Sequence, residues 1–171
     1  IYNRVYMLNR FAIIKGLYDK THLVPFGEYI PFGKYLKFWG KLTAQAGDFS
    51  SGKDTFEPLA FNENKTGVLI CFEILFPSIS SGFVRNGATL LTTVTNDAWF
   101  GKTSAPLQHF SVAVFRAVEN RRTVARSANT GISGFIDPKG EVIEATGIFE
   151  DKVISQSVPL LKELTLYTIY G

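Results

Sequence analysis

The 171-residue chain is 46% hydrophobic and 19% charged, which excludes a disordered polymer and suits one globular domain with a sizeable core. Its formal charge of +3, on Lys and Arg that are scattered rather than striped, leaves no electrostatic footprint for nucleic acid, and its single cysteine excludes an internal disulfide. Aromatic residues reach 14%, enough for a heavy aromatic core or for apolar surface that faces a partner or a membrane.

Tyr2–Leu8 alternates and predicts a strand, Asn9-Arg10 a turn, and Ile13–Tyr18 the return strand. The following THLVPFGEYIPFG carries two prolines and two glycines and predicts a long irregular loop. Tyr35–Gln45 reads as a short helix with Leu36, Trp39 and Leu42 on one side. Phe56–Phe61 and Thr66–Cys71 are expected strands around the turn Asn62–Lys65. Pro77–Asn86 is an expected helix closed by Gly87, and Thr89–Thr95 a buried strand. After the loop Asn96–Pro106, Leu107–Arg121 predicts a helix with Phe110, Val114, Ala117 and Val118 on its apolar face. Thr123–Ser127 is an expected strand, Ser133–Ile136 and Glu141–Thr146 a hairpin around Asp137-Pro138-Lys139-Gly140, and Val153–Val158 a last strand. Strands with helices between them predict an α/β fold. The first residue is Ile1, and the chain reads as a piece of something longer. Its longest apolar run, Val68–Pro77, is interrupted by Glu73 and falls short of the roughly 20 residues a membrane span needs.

That run, GVLICFEILFP, holds the candidate chemistry. Cys71 sits at the end of a buried strand, and Glu73 lies inside the same apolar stretch, where a carboxylate is costly unless partnered. A lone cysteine is often a plain core residue, so the stretch by itself leaves a catalytic thiol and a structural one equally open. Lys20 ends the second strand. A lysine ammonium near a thiol lowers its pKa and stabilises a developing oxyanion, although most lysines are simply solvated. Glu28, between Pro25 and Pro31, is a candidate to position Lys20 or else a solvated loop carboxylate. Asn96-Asp97 would by default form an Asx turn, while Trp99 and Phe100 suit the wall of an apolar pocket. The aromatics between Phe26 and Trp39 read equally as core or as an apolar lid. Both histidines, His22 and His109, are expected in structural roles. No ligand spacing or glycine-rich phosphate loop is present, so neither metal nor cofactor is expected.

The ordered set of Lys20 with HLVPFGE behind it, Cys71 followed by FE and FP, NDAWFG at Asn96–Gly101, and RSANTG at Arg126–Gly131 resembles the nitrilase (carbon–nitrogen hydrolase) superfamily. The HLVPFGEYIP loop, NDAWFG, Gln108-His109 and RSANTGIS favour the branch of that superfamily that acylates lipoproteins over its soluble amidases. The resemblance implies a four-layer αββα sandwich, here a single partial domain over residues 1–171, incomplete at the N-terminal side. It implies Cys71 as nucleophile, Lys20 as the triad lysine, Glu28 and Glu73 as accessory acids, and Phe72, Asn96, Trp99 and Phe100 around the substrate. Phe72 stands where the family commonly has Tyr, so any hydroxyl role there is lost. The family's base glutamate corresponds to a position upstream of Tyr2–Leu8. The implied reaction takes an acyl chain from a phospholipid donor, through a cysteine thioester, to an apolipoprotein acceptor at the periplasmic side of a bacterial inner membrane, with membrane contact through flanking helices. The expected consequences are that residues 1–171 alone are inactive and that their uncovered apolar surface drives self-association. The alternatives are a soluble amidase of the same superfamily and a non-catalytic binding module with Cys71 in its core.

Overall fold

The computed structural model describes residues 1–31 and 48–171. The expected helix Tyr35–Gln45 lies outside the described residues. Two sheets form. The first is an antiparallel hairpin of β1 (Arg4–Leu8) and β2 (Ile14–Asp19), with Val5 opposite Tyr18. The second has six strands in sequential order: β3 (Leu59–Phe61), β4 (Asn64–Ile70), β5 (Leu90–Asn96), β6 (Thr123–Asn129), β7 (Gly134–Ile136) and β8 (Val142–Ala145). β4, β5 and β6 run parallel, and the outer strands pair antiparallel.

The parallel strands are joined by α1 (Pro77–Arg85) and α2 (Ala105–Asn120). Parallel neighbours need such crossovers, and their fixed hand puts consecutive helices on one sheet face. Gly67, Leu91 and Val124 lie in register on that face. A Cβ on Gly67 would fall 2.6 Å from the Phe83 Cβ, so only glycine lets α1 approach β4 this closely. The core lies here, with Leu69, Ile74, Phe83, Leu91, Ala113, Ala117 and Val124 out of contact with solvent. Burial of side chains of this size stabilises by about 1.5–3 kcal/mol each for the larger ones. Of the four expected layers, the described residues build one helix layer, one six-stranded sheet and the separate hairpin.

Gly87, at φ 94°, ends α1 in the conformation that glycine tolerates. Arg121 performs the same turn after α2 at φ 48°. Two expectations require correction. The buried face of α2 is His109, Phe110, Ala113, Arg116, Ala117 and Asn120, whereas Val118 is exposed; polar residues there have buried partners that an apolar count overlooks. Val153–Val158 forms no strand, since the segment before α3 (Leu166–Tyr170) has no ladder partner among the described residues. α3 docks through Thr168, whose hydroxyl donates to Asn120 at 3.0 Å and whose carbonyl accepts from Arg85 at 2.8 Å.

Candidate active site

The carboxyl ends of β4, β5 and β6 meet at one sheet edge, the place where open α/β sheets concentrate their chemistry. Cys71 begins a 3₁₀ turn, Cys71–Leu75, directly after β4. Its φ is 51°, a left-handed conformation that costs a non-glycine residue on the order of 1–3 kcal/mol and therefore needs support.

Part of that support is Glu73. Its side chain is wholly buried, and its two oxygens serve different segments. Oε2 accepts the Ile70 N–H at 2.8 Å, just before the cysteine. Oε1 accepts the Thr21 N–H at 2.7 Å, the Thr21 hydroxyl at 3.1 Å, the His22 N–H at 3.2 Å and the Tyr18 hydroxyl at 2.9 Å. One carboxylate thus clips the residue after Lys20 to the residue before Cys71. Burial, and then the Glu73 charge, push the Tyr18 phenol far above its ordinary range, so it remains a donor.

Lys20 is 1% exposed, so it is not a solvated lysine. Its Nζ donates to both Glu28 oxygens, at 3.0 and 2.8 Å. Glu28 also accepts the Val24 N–H at 2.8 Å and the Asn3 side-chain amide at 2.8 Å. The Pro25–Tyr29 segment folds back on itself, with the Phe26 N–H on the Tyr29 carbonyl and the Glu28 N–H on the Val24 carbonyl, and this points the carboxylate at the lysine. Burial pushes the Glu28 carboxyl up, but Lys20, Val24 and Asn3 outweigh it and hold the group below the usual carboxylate range.

Behind Cys71 lies a second buried network that the sequence pattern does not single out. His109, on α2, approaches the Cys71 carbonyl with Nε2 at 3.2 Å and Asp97 Oδ1 with Nδ1 at 3.0 Å. Asp97 accepts from Arg126 at 2.7 Å and from the Thr95 hydroxyl at 2.9 Å. Burial raises the Asp97 carboxyl, while the His109 contact and the Arg126 charge bring it below its ordinary value. Burial lowers the Arg126 guanidinium, partly offset by Asp97 and by Cys71. The available signals were an Asp directly after a buried strand and an Arg inside one. The Asx turn expected at this point exists, made by Asn96, whose Oδ1 accepts the Ala98 N–H at 3.1 Å.

The remaining expected site residues lie outward. Phe72 is half-buried and meets Phe76 edge-on at 5.3 Å. Asn96 is exposed and bonded to Asn129. Trp99 is 78% and Phe100 40% exposed, with the Phe100 ring edge-on to His109. His22 stacks on Phe76 with ring centres 3.7 Å apart.

The parallel strands of an α/β sheet thus bring a left-handed cysteine at a strand end and, through the Glu73 clip, the segment of a buried, carboxylate-bound lysine to one place. The carbon–nitrogen hydrolase family model matches residues 1–162, and the chain belongs to that family. It is 46% identical over 169 residues to the apolipoprotein N-acyltransferase of Geobacter metallireducens, covering 99% of this chain and 32% of that protein. It is likewise similar to the apolipoprotein N-acyltransferase of Rickettsia prowazekii, at 37% identity with 100% of this chain and 34% of that protein covered. The chain spans about a third of the length of these relatives. Among solved structures, Caenorhabditis elegans NitFhit superposes with a TM-score of 0.67 at 23% identity, covering 86% of this chain and 35% of that one. Saccharomyces cerevisiae Nit3, a nitrilase-superfamily member, gives 0.64 at 22%, covering 86% and 49%. The nitrilase-like α/β fold expected from the motifs is therefore the fold observed.

Proposed function

We propose that residues 1–171 are part of a single carbon–nitrogen hydrolase domain that N-acylates apolipoproteins, with Cys71 as nucleophile and Lys20 as oxyanion donor. The observation that carries the reading is the Glu73 clip, which ties Thr21 to Ile70 and so fastens the lysine and cysteine segments to each other. The similarity to apolipoprotein N-acyltransferases supports the choice of reaction.

In the proposed reaction a base takes the Cys71 proton. The thiolate attacks the ester carbonyl of a phospholipid, and the buried Lys20 ammonium stabilises the tetrahedral oxyanion. The C–O bond breaks, the lysophospholipid leaves with a proton, and an acyl thioester remains on Sγ. The α-amine of the acceptor's diacylglyceryl-cysteine then attacks; the C–S bond breaks, an amide forms, and the thiol is restored. Glu28 and Glu73 act as supports, because their oxygens are committed to Lys20, Asn3 and the Val24 N–H in one case and to Tyr18, Thr21, His22 and Ile70 in the other. The base is the glutamate that the family resemblance puts upstream of β1.

Phe72, Asn96, Trp99 and Phe100 form the outer, lipid-facing side of this site, and the exposed rings of Trp99 and Phe100 suit acyl chains. Among the described residues no helix is long and apolar enough to cross a membrane. The similarity to apolipoprotein N-acyltransferases supports action at the periplasmic face of the inner membrane.

The test is mass spectrometry of the full-length protein incubated with phospholipid vesicles. A thioester-linked acyl chain on the Cys71 peptide that is absent from Cys71→Ala is expected. An adduct that persists in Cys71→Ala would overturn the assignment. Release of free fatty acid to water in place of transfer to a lipopeptide amine would identify a hydrolase instead.

A further inference from the structure

The buried network behind Cys71 leads past the lysine and cysteine themselves. A left-handed residue at the end of a strand has to be held, and Glu73 holds only the N–H that precedes it. The carbonyl of Cys71 is engaged by His109. A carbonyl oxygen only accepts, so the hydrogen at this contact resides on Nε2. Nδ1 then faces the Asp97 carboxylate at 3.0 Å and an Arg126 guanidinium nitrogen at 3.2 Å. In the neutral ring, Nδ1 accepts from Arg126. In the charged ring, Nδ1–H donates to Asp97. Nε2–H donates to the Cys71 carbonyl whichever of these partners Nδ1 engages.

We infer that His109 is a positioning residue for the nucleophile: held by Asp97 and Arg126, it fixes the Cys71 peptide so that Sγ faces the acyl donor. Its ring addresses the backbone of Cys71 and performs no proton transfer with the thiol. Four segments converge here, the β4 end through Cys71, the β5 end through Asp97, α2 through His109, and β6 through Arg126. Asp97, His109 and Arg126 are all buried, and Asp97 has the Thr95 hydroxyl as a further donor. A Cβ on Gly131 would also collide with the Asp97 carboxylate, so the loop after β6 closes over the network only because a glycine is there.

This inference rests on Cys71 being the nucleophile, and the experiment separates the two. Single-turnover acylation is measured by mass spectrometry in the full-length protein with phospholipid vesicles, for the parent, Cys71→Ala, His109→Ala and His109→Gln. Glutamine puts an N–H donor close to where Nε2 stands and has no titratable ring. His109→Ala is expected to acylate on the order of 10- to 100-fold more slowly, the penalty typical of a misplaced reacting atom, with half-saturation for phospholipid unchanged. His109→Gln is expected to recover to within about threefold of the parent with the same pH profile. His109→Ala acylating at the parent rate would overturn the inference. So would His109→Gln acylating as slowly as His109→Ala while melting at the parent temperature, or losing one limb of the pH profile, since either result makes the ring an acid or base. An acyl adduct that survives in Cys71→Ala would instead remove the nucleophile assignment, and this inference with it.

Discussion

The Glu73 carboxylate accepts the Thr21 N–H at 2.7 Å, across 52 positions of sequence. The same group reaches Ile70 with its other oxygen, so a single buried side chain spans the two segments that carry Lys20 and Cys71. Glu73→Gln replaces one acceptor oxygen with a donor NH₂ that must face a backbone N–H or the Tyr18 hydroxyl. A loss of about 1–3 kcal/mol is expected. Thermal unfolding would show it, and acylation of Cys71 should slow in parallel because the clip is weakened. Unchanged melting and unchanged acylation would mean that the brace is dispensable.

Lys20→Ala leaves Glu28 half-buried without its cation, and about 3 kcal/mol of stability should go with it, the cost typical of breaking a buried pair. Lys20→Ala combined with Glu28→Gln should recover part of that loss, because no uncompensated charge remains. Under the proposed mechanism the double variant still acylates at least about 100-fold more slowly than the parent, since the oxyanion donor is gone. Melting curves and single-turnover acylation of the three proteins read the two effects separately.

Cys71 occupies a left-handed backbone position, and this predicts an inverted order of substitutions. Glycine normally destabilises relative to alanine. Here Cys71→Gly should be more stable than Cys71→Ala by about 1 kcal/mol, because glycine removes the Cβ strain at positive φ. Denaturant midpoints of the two variants decide this, and alanine being the more stable would show that the turn relaxes to an unstrained conformation.

Asp97 and Glu28 both hold their carboxyls below the ordinary range of about 4. The unfolded chain binds these protons more readily than the folded one. Their contribution is complete above the unfolded value, shrinks as pH falls below it, and is lost once pH drops through the depressed folded values. Asp97→Asn should therefore lie well below the parent in melting temperature near neutral pH, and the gap should close as pH falls below about 4. A gap independent of pH would locate the effect in packing and not in charge.

The outer face of the hairpin carries Tyr6 and Leu17 directly opposite each other, both exposed, with Leu8 and Ile14 beside them. Residues 1–171 expressed alone should self-associate through this surface, and Leu8→Lys with Leu17→Lys should shift the population toward monomer. Sedimentation velocity would register the change, and a monomeric parent would remove the case for apolar association.

Much of the site could be read without coordinates. The apolar run before Cys71, the prolines around Glu28 and the ordered motifs predicted which segments matter, because local backbone demands and solvent cost act on neighbours in sequence. The expected α/β order also appeared, with the β4 and β5 strands and helix α1 close to their predicted bounds. What failed depended on partners far along the chain. Val153–Val158 has strand-like residues but joins neither sheet, and the face assigned to α2 shares its burial with His109 and Asn120, whose partners Asp97, Cys71 and Thr168 are invisible in a hydropathy pattern.

By itself, then, the sequence determined the family, the nucleophile candidate and the lysine candidate, since each rests on residue type and local order. Only the tertiary structure decided how they are held. Glu73 became a clip between segments 52 positions apart, Lys20 a buried ion pair, and Asp97, His109 and Arg126 one network beneath the cysteine. The reason is physical: a buried polar atom must find a partner, and sequence shows the need for that partner but not its address.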